Sequence, residues 1–140
     1  MELFSFANGI FLLFLLAISI VDIRRQIIYD EWLVVMGALG LAMSALHFGT
    51  GAVNALWGGA AGFLLFYIIR KVSRGGMGGG DVKLALVLGL WLGVENLLVS
   101  LYIAFLAGAA VGIVIYFIRG TRIIPFAPFM ALGAELALFI

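Results

Sequence analysis

Arg70-Lys71-Val72-Ser73-Arg74-Gly75-Gly76-Met77-Gly78-Gly79-Gly80-Asp81-Val82-Lys83 separates two long apolar runs, and the reading of this break decides the fold. Residues 52–69 on one side and 84–94 on the other contain no Lys, Arg, Asp or Glu. Apolar runs that stop at clusters of basic residues read as membrane spans, with the basic cluster in the cytoplasmic loop. Outward from this break the same pattern repeats. Arg24 and Arg25 close the first apolar run, and Arg119 and Arg122 follow the run that ends near residue 118.

Composition agrees. The 140 residues are 66% hydrophobic and 11% charged, with a mean hydropathy of +1.28. A soluble domain averages about 25% charged residues, so a soluble fold of this length cannot hide the apolar surface. The chain reads as a single polytopic all-α membrane domain over residues 1–140. Cysteine is absent, which removes disulfides, thiol nucleophiles, Cys-ligated zinc and iron–sulfur clusters. His47 is the single histidine and cannot build a metal site alone. No basic surface with interleaved aromatics points to nucleic acid. The start, Met1-Glu2-Leu3-Phe4, lacks the positive region of a cleavable signal, so the first run is expected to be a retained span.

A span needs about 20 apolar residues. Six candidates fit, at roughly 3–22, 31–48, 52–70, 81–95, 97–118 and 126–140. With six spans all eight Lys and Arg residues fall on one side. The positive-inside rule then places both termini outside and the basic loops in the cytoplasm. Gly58-x-x-x-Gly62, Gly89-x-x-x-Gly93 and Gly108-x-x-x-Gly112 put small residues on single faces of three spans, where backbones can approach in lipid. With 19 glycines in the chain such spacings also arise by chance.

Two aspartates stand out against this background. Asp22 ends the apolar run 11–21, and Asp81 opens the run 82–92. A carboxylate costs about 2.5–3.5 kcal/mol at a membrane helix centre, less toward the interface. In the six-span arrangement both lie at the cytoplasmic ends of their spans, at similar depth, so pairing is topologically allowed. Two carboxylates are the minimal apparatus for acid/base hydrolysis. The glycines before Asp81 leave room for a substrate strand or a neighbouring helix. Lys83, two residues on, points to a different helix face and is expected at the interface or on a lipid phosphate rather than on Asp81.

Gly78-Gly79-Gly80-Asp81 followed by Lys83 resembles the Gly-x-Gly-Asp aspartic proteases of membranes, and within them the type IV prepilin peptidases. Val21-Asp22-Ile23-Arg24-Arg25-Gln26-Ile27-Ile28-Tyr29-Asp30 is similar to that family's Asp, basic residues and Ile-Pro-Asn. Ile124-Pro125-Phe126-Ala127-Pro128-Phe129, with Ala131-Leu132-Gly133 after it, looks like its Pro-Phe-x-Pro-Phe segment. The presenilin-type Pro-Ala-Leu motif is absent. The resemblance implies Asp22 and Asp81 as the catalytic pair, with Gly78, Gly80, Lys83, Pro125, Phe126 and Pro128 as supporting motif residues. It implies no metal or cofactor. The partners would be membrane lipid and a prepilin or pseudopilin whose basic leader is cut before an apolar helix, at the cytoplasmic face of a bacterial or archaeal cytoplasmic membrane.

Tyr29 and Asp30 depart from the family's Pro and Asn, and Asp30 is expected to cap the second span. Bifunctional members carry an N-terminal domain with paired Cys-x-x-Cys motifs and methyltransferase activity. Without cysteines, this chain resembles the short peptidase-only branch of tight-adherence pili, and N-methylation is not inferred for it. In the mechanism so implied, two close carboxylates share a proton. One activates water and the other polarises the scissile carbonyl; which of Asp22 and Asp81 starts as base stays open.

Blander readings exist for each residue. Asp22 could end a span and pair with Arg24 or Arg25, and Asp81 could cap a helix. Glu135 lies about nine residues into the last span, where an unpaired carboxylate is costly, and has no assigned role. Trp32, Trp57 and Trp91 read as interfacial anchors or packing. Two other function classes remain: a small proton-coupled transporter using Asp22, Asp81 and Glu135, and a non-catalytic pilus or secretion assembly subunit.

Overall fold

A computed structural model of the chain describes residues 2–25, 28–46, 51–74, 79–120 and 126–139. They form five α-helices: α1 (Glu2–Arg25), α2 (Asp30–Ala45), α3 (Ala52–Val72), α4 (Gly79–Arg119) and α5 (Ala127–Phe139). No strand occurs among the described residues. In hydrocarbon every backbone polar group must be satisfied within its own segment, and helices do this. Phe6–Arg25, α3 and α4 are long and apolar enough to cross a membrane, and Ala127–Leu138 is a shorter apolar helix.

α4 is two helices joined at Gly93, whose φ of 77° and ψ of 177° leave the helical region. That conformation is essentially reserved for glycine. The arms on either side, residues 79–92 and 94–119, double back on each other, and their contacts with α3 reveal the reversal. Gly58 meets the backbone of Gly89 and Gly93, Gly62 meets Ala85 and Leu97, and Phe66 meets Phe105. Moving along α3, residue numbers fall on the first arm and rise on the second. The Val94 N–H, freed by the break, donates to Asn54 Oδ1 at 3.1 Å. The apolar spans expected at 81–95 and 97–118 put this boundary at residue 96, beside Glu95. The structure moves it to Gly93, because Gly93 can take the positive φ and Glu95 continues the second arm.

Helix packing relies on missing side chains at a few positions. Gly58 and Gly89 bring the backbones of α3 and the first arm together. Gly133 sets α5 against the carbonyl of Ser100 on the second arm, and Gly108 lies under the Phe126 ring. α1 buries Ala7, Phe11, Leu15, Ile18 and Asp22 along one face. The opposite surface is apolar as well. Leu13, Val34, Leu64, Tyr102 and Phe117 are all more than half exposed, as expected of side chains that face lipid.

Candidate active site

The site is assembled at one end of the bundle. α1 delivers Asp22 near its C-terminus, and the first arm of α4 delivers Asp81 in its first turn. Asp22 is 6% exposed. Its Oδ2 accepts the Ala127 backbone N–H at 3.0 Å. Ala127 opens α5, so Asp22 caps that helix from a different part of the chain. The first N–H groups of a helix lack partners within it, and the helix dipole favours an anion there. Pro128 follows in the first turn, where a proline's missing N–H costs nothing.

Asp81 is half-buried, and its Oδ1 is fully enclosed with no hydrogen-bond partner. The Asp22 carboxylate lies within Coulombic reach of it. The helices that carry the two groups stand apart. Among the described residues no Cα of α1 comes within 8 Å of a Cα of α4. The two carboxylates therefore come from helices whose backbones do not touch. Ser19, buried one turn before Asp22, also has an unpartnered Oγ.

Behind Asp22 lies an aromatic cluster. Phe126 packs on Phe105 with ring centroids 5.3 Å apart, on Phe66 at 6.1 Å and on Phe129 at 6.3 Å. This ties α3, the second arm and the start of α5 into one support for the Ala127 N–H. A Cβ on Gly80 would lie 3.0 Å from the Ile28 side chain, so the glycine lets the chain before α2 pass close to Asp81. Gly78 and Pro125 lie outside the described residues.

Lys83 turns away from the pair and binds Asp30 Oδ2 at 2.9 Å. The expectation that Lys83 avoids Asp81 agrees with this, but its partner is Asp30. Asp30 in turn is not the cap of α2. Tyr29 holds that position without a side-chain cap bond, and Asp30 sits in the first turn. The Asp30–Lys83 pair stands at the polar end of an apolar groove of about 460 Å³ between α2 and the first arm, lined by Leu33, Gly37, Leu86, Val87 and Leu90 among others. Two residues are about 200° of helix rotation, so this groove opens on the face of the arm opposite Asp81.

Glu135 on α5 is partly buried, with an enclosed Oε1 that has no partner. Among the described residues no group of three or more His, Cys, Asp or Glu side chains is placed to hold a metal ion. The site therefore offers two carboxylates at one end of the bundle, one held by a helix N-terminus and one with an enclosed, unpartnered oxygen. The sequence offers no signal for the Ala127 N–H, because its acceptor lies 105 residues away. Nor does it reveal Phe66 and Phe105, which read as ordinary apolar span residues.

Residues 9–113 match the family model described as the type IV leader peptidase family. A prepilin leader peptidase/N-methyltransferase from Stutzerimonas stutzeri is 32% identical, over 96% of this chain and 50% of that protein. The protein of the same description from Pseudomonas aeruginosa is 34% identical, over 89% of this chain and 46% of its own length. That from Bacillus subtilis is 31% identical, over 94% of this chain and 54% of its own. The chain thus spans about half the length of the curated relatives it matches. No solved structure matches it.

Proposed function

The chain belongs to the type IV leader peptidase family, and from that premise we propose that it is an intramembrane aspartic endopeptidase that cleaves the leader from prepilin-like or pseudopilin-like substrates. Asp22 and Asp81 are the catalytic pair in this reading. The observation that supports it is that Asp22 and Asp81 lie at the same end of the bundle, close enough for one charge to act on the other. Two carboxylates from helices far apart in sequence come within Coulombic reach at one end of an apolar bundle. Water between them would lose a proton to one carboxylate as it attacks the scissile carbonyl. The other carboxylic acid would hydrogen-bond the carbonyl oxygen and then protonate the departing amine. Asp22, held by the Ala127 N–H, needs little reorganisation as charge moves.

The reading includes six spans, with the two arms of α4 crossing separately and both termini outside. The pair then works at the cytoplasmic face of the cytoplasmic membrane, where the Lys and Arg residues cluster. The proposed peptidase unit is the whole of residues 1–140, and Gly78, Gly80, Lys83, Pro125, Phe126 and Pro128 are the motif residues that the family resemblance assigns to it.

The test is cleavage of a panel of prepilin-like substrates by the purified chain, compared with Asp22→Asn and Asp81→Asn, each confirmed folded. Each substitution is expected to lower turnover by about 10²–10⁴-fold or more. Cleavage kept by either folded variant would remove the pair. The enclosed, unpartnered Oε1 of Glu135 favours the transport reading as the competitor. Proton uptake by vesicles holding the chain, abolished by Glu135→Gln while wild type cleaves nothing, would select it.

A further inference from the structure

Nothing in the proposed chemistry uses Trp91, yet its indole joins three helices. The Nε1–H donates to the backbone carbonyl of Met36 on α2 at 2.7 Å. The ring stacks on Phe11 of α1, with centroids 4.7 Å apart and planes 28° apart. Gly40 makes the hydrogen bond possible. It lies one turn beyond Met36, and a Cβ there would fall 2.7 Å from the indole. A bare residue at position 40 uncovers the second lone pair of the Met36 carbonyl.

The stack joins the two helices that carry the aspartates. α1 and α4 do not approach backbone to backbone among the described residues, so side chains set their spacing. Phe11 precedes Asp22 by eleven residues, and Trp91 follows Asp81 by ten. At 1.5 Å per residue these are about 16 Å and about 15 Å of helix. α1 runs toward the carboxylates and the first arm runs away from them. The ring stack and the two carboxylates therefore sit at two levels of the same pair of helices, at matched distances. Between them lie Leu15, Ile18, Leu84 and Leu88, all buried aliphatic side chains. The stack is stiffer, since flat rings have few rotamers and the indole is pinned by its hydrogen bond.

We infer that Trp91 is a positioning residue: pinned to the Met36 carbonyl and stacked on Phe11, it sets the spacing of the helices that carry Asp22 and Asp81. The inference rests on the paired-aspartate reading for its effect on rate, but not for its effect on spacing.

The chain has no cysteine, so labels can be placed cleanly. The full chain in lipid nanodiscs would carry spin labels at Ile23→Cys on α1 and Lys83→Cys on the first arm, and the inter-label distance would be measured by pulsed EPR. Turnover would be measured in unlabelled chains. Trp91→Leu is expected to shift or broaden the distance distribution and to lower kcat about tenfold or more, with KM within about twofold, because small misplacements of reacting groups are costly. Phe11→Leu should reproduce that signature from the other side. Trp91→Phe keeps a ring on Phe11 and should fall less than Trp91→Leu in both readouts.

An unchanged distance in folded Trp91→Leu would overturn the inference, whatever happens to turnover. A shifted distance with unchanged kcat would overturn its functional half. A rise in KM alone would make Trp91 a substrate contact and overturn it too. If Trp91→Leu does not fold, Phe11→Leu and Trp91→Phe carry the same test. Should wild type cleave none of the substrates, the paired-aspartate reading fails, and the distances alone decide the spacer.

Discussion

Asp22 carries a structural bond beside its proposed chemical role, and two substitutions separate them. Asn keeps an amide oxygen that can accept the Ala127 N–H, whereas Ala removes the acceptor. Asp22→Asn is therefore expected to abolish cleavage with little change in thermal melting. Asp22→Ala should abolish cleavage and also lower stability by about 0.5–2 kcal/mol, the usual cost of a lost helix cap. Melting curves of both variants in one detergent check this, and equal losses of stability would show that the cap bond contributes nothing. Lys83 gives a contrast at the same scale. Its pair with Asp30 is exposed at both ends, with side-chain exposures of 55% and 63%. Such pairs contribute about 0–1 kcal/mol, so Lys83→Met should barely move the melting temperature. Asp22 and Asp81 were both legible in the sequence, as carboxylates that an apolar chain has reason to avoid. The Ala127 donor was not, because a cap supplied from another helix leaves no local pattern.

At the scale of elements, glycines that look alike in sequence have different work. Gly93 holds the reversal of α4 in a conformation that a side chain strains. Gly93→Ala is expected to cost about 1–3 kcal/mol. Gly89 touches the Gly58 backbone, so a methyl there must push α3 away from the first arm. Gly89→Ala should cost a similar amount, about 1–3 kcal/mol, by overpacking. Gly9 in α1 has nothing within 4 Å of where its Cβ would be. Gly9→Ala should be neutral, or stabilising by up to about 1 kcal/mol through helix propensity. Thermal melting of the three variants orders them, and a Gly89→Ala as stable as Gly9→Ala would mean that α3 and α4 part easily. The apolar runs and their basic breaks mark the helices within a few residues. A Gly-x-x-x-Gly spacing, however, does not say which glycines meet a partner backbone. The boundary near residue 96 failed for a related reason: a charged residue looks like the better turn, while backbone geometry favours the glycine.

At the scale of the whole molecule, the placement of charge makes a prediction about sidedness. Arg70, beside Gly79, and the Asp30–Lys83 pair lie at the end of the bundle that holds Asp22 and Asp81. The Asn54 cap on Val94 lies at the far end of the first arm. If the arms of α4 cross the membrane separately, Arg74 and Glu95 face opposite compartments. The positive-inside rule puts Arg74 in the cytoplasm. Because the chain contains no native cysteine, Arg74→Cys and Glu95→Cys can each be probed as a single thiol. In intact cells or right-side-out vesicles a membrane-impermeant maleimide should label Glu95→Cys and leave Arg74→Cys untouched until the membrane is opened. Labelling of both from outside would mean that the first arm does not cross. Labelling of Arg74→Cys alone would invert the molecule and move the aspartate pair to the outer face, where a leader still attached in the cytoplasm could not reach it. The sidedness measurement thus bears directly on the proposed chemistry, since the proposed peptidase has to hold its two carboxylates on the side where a substrate's leader resides.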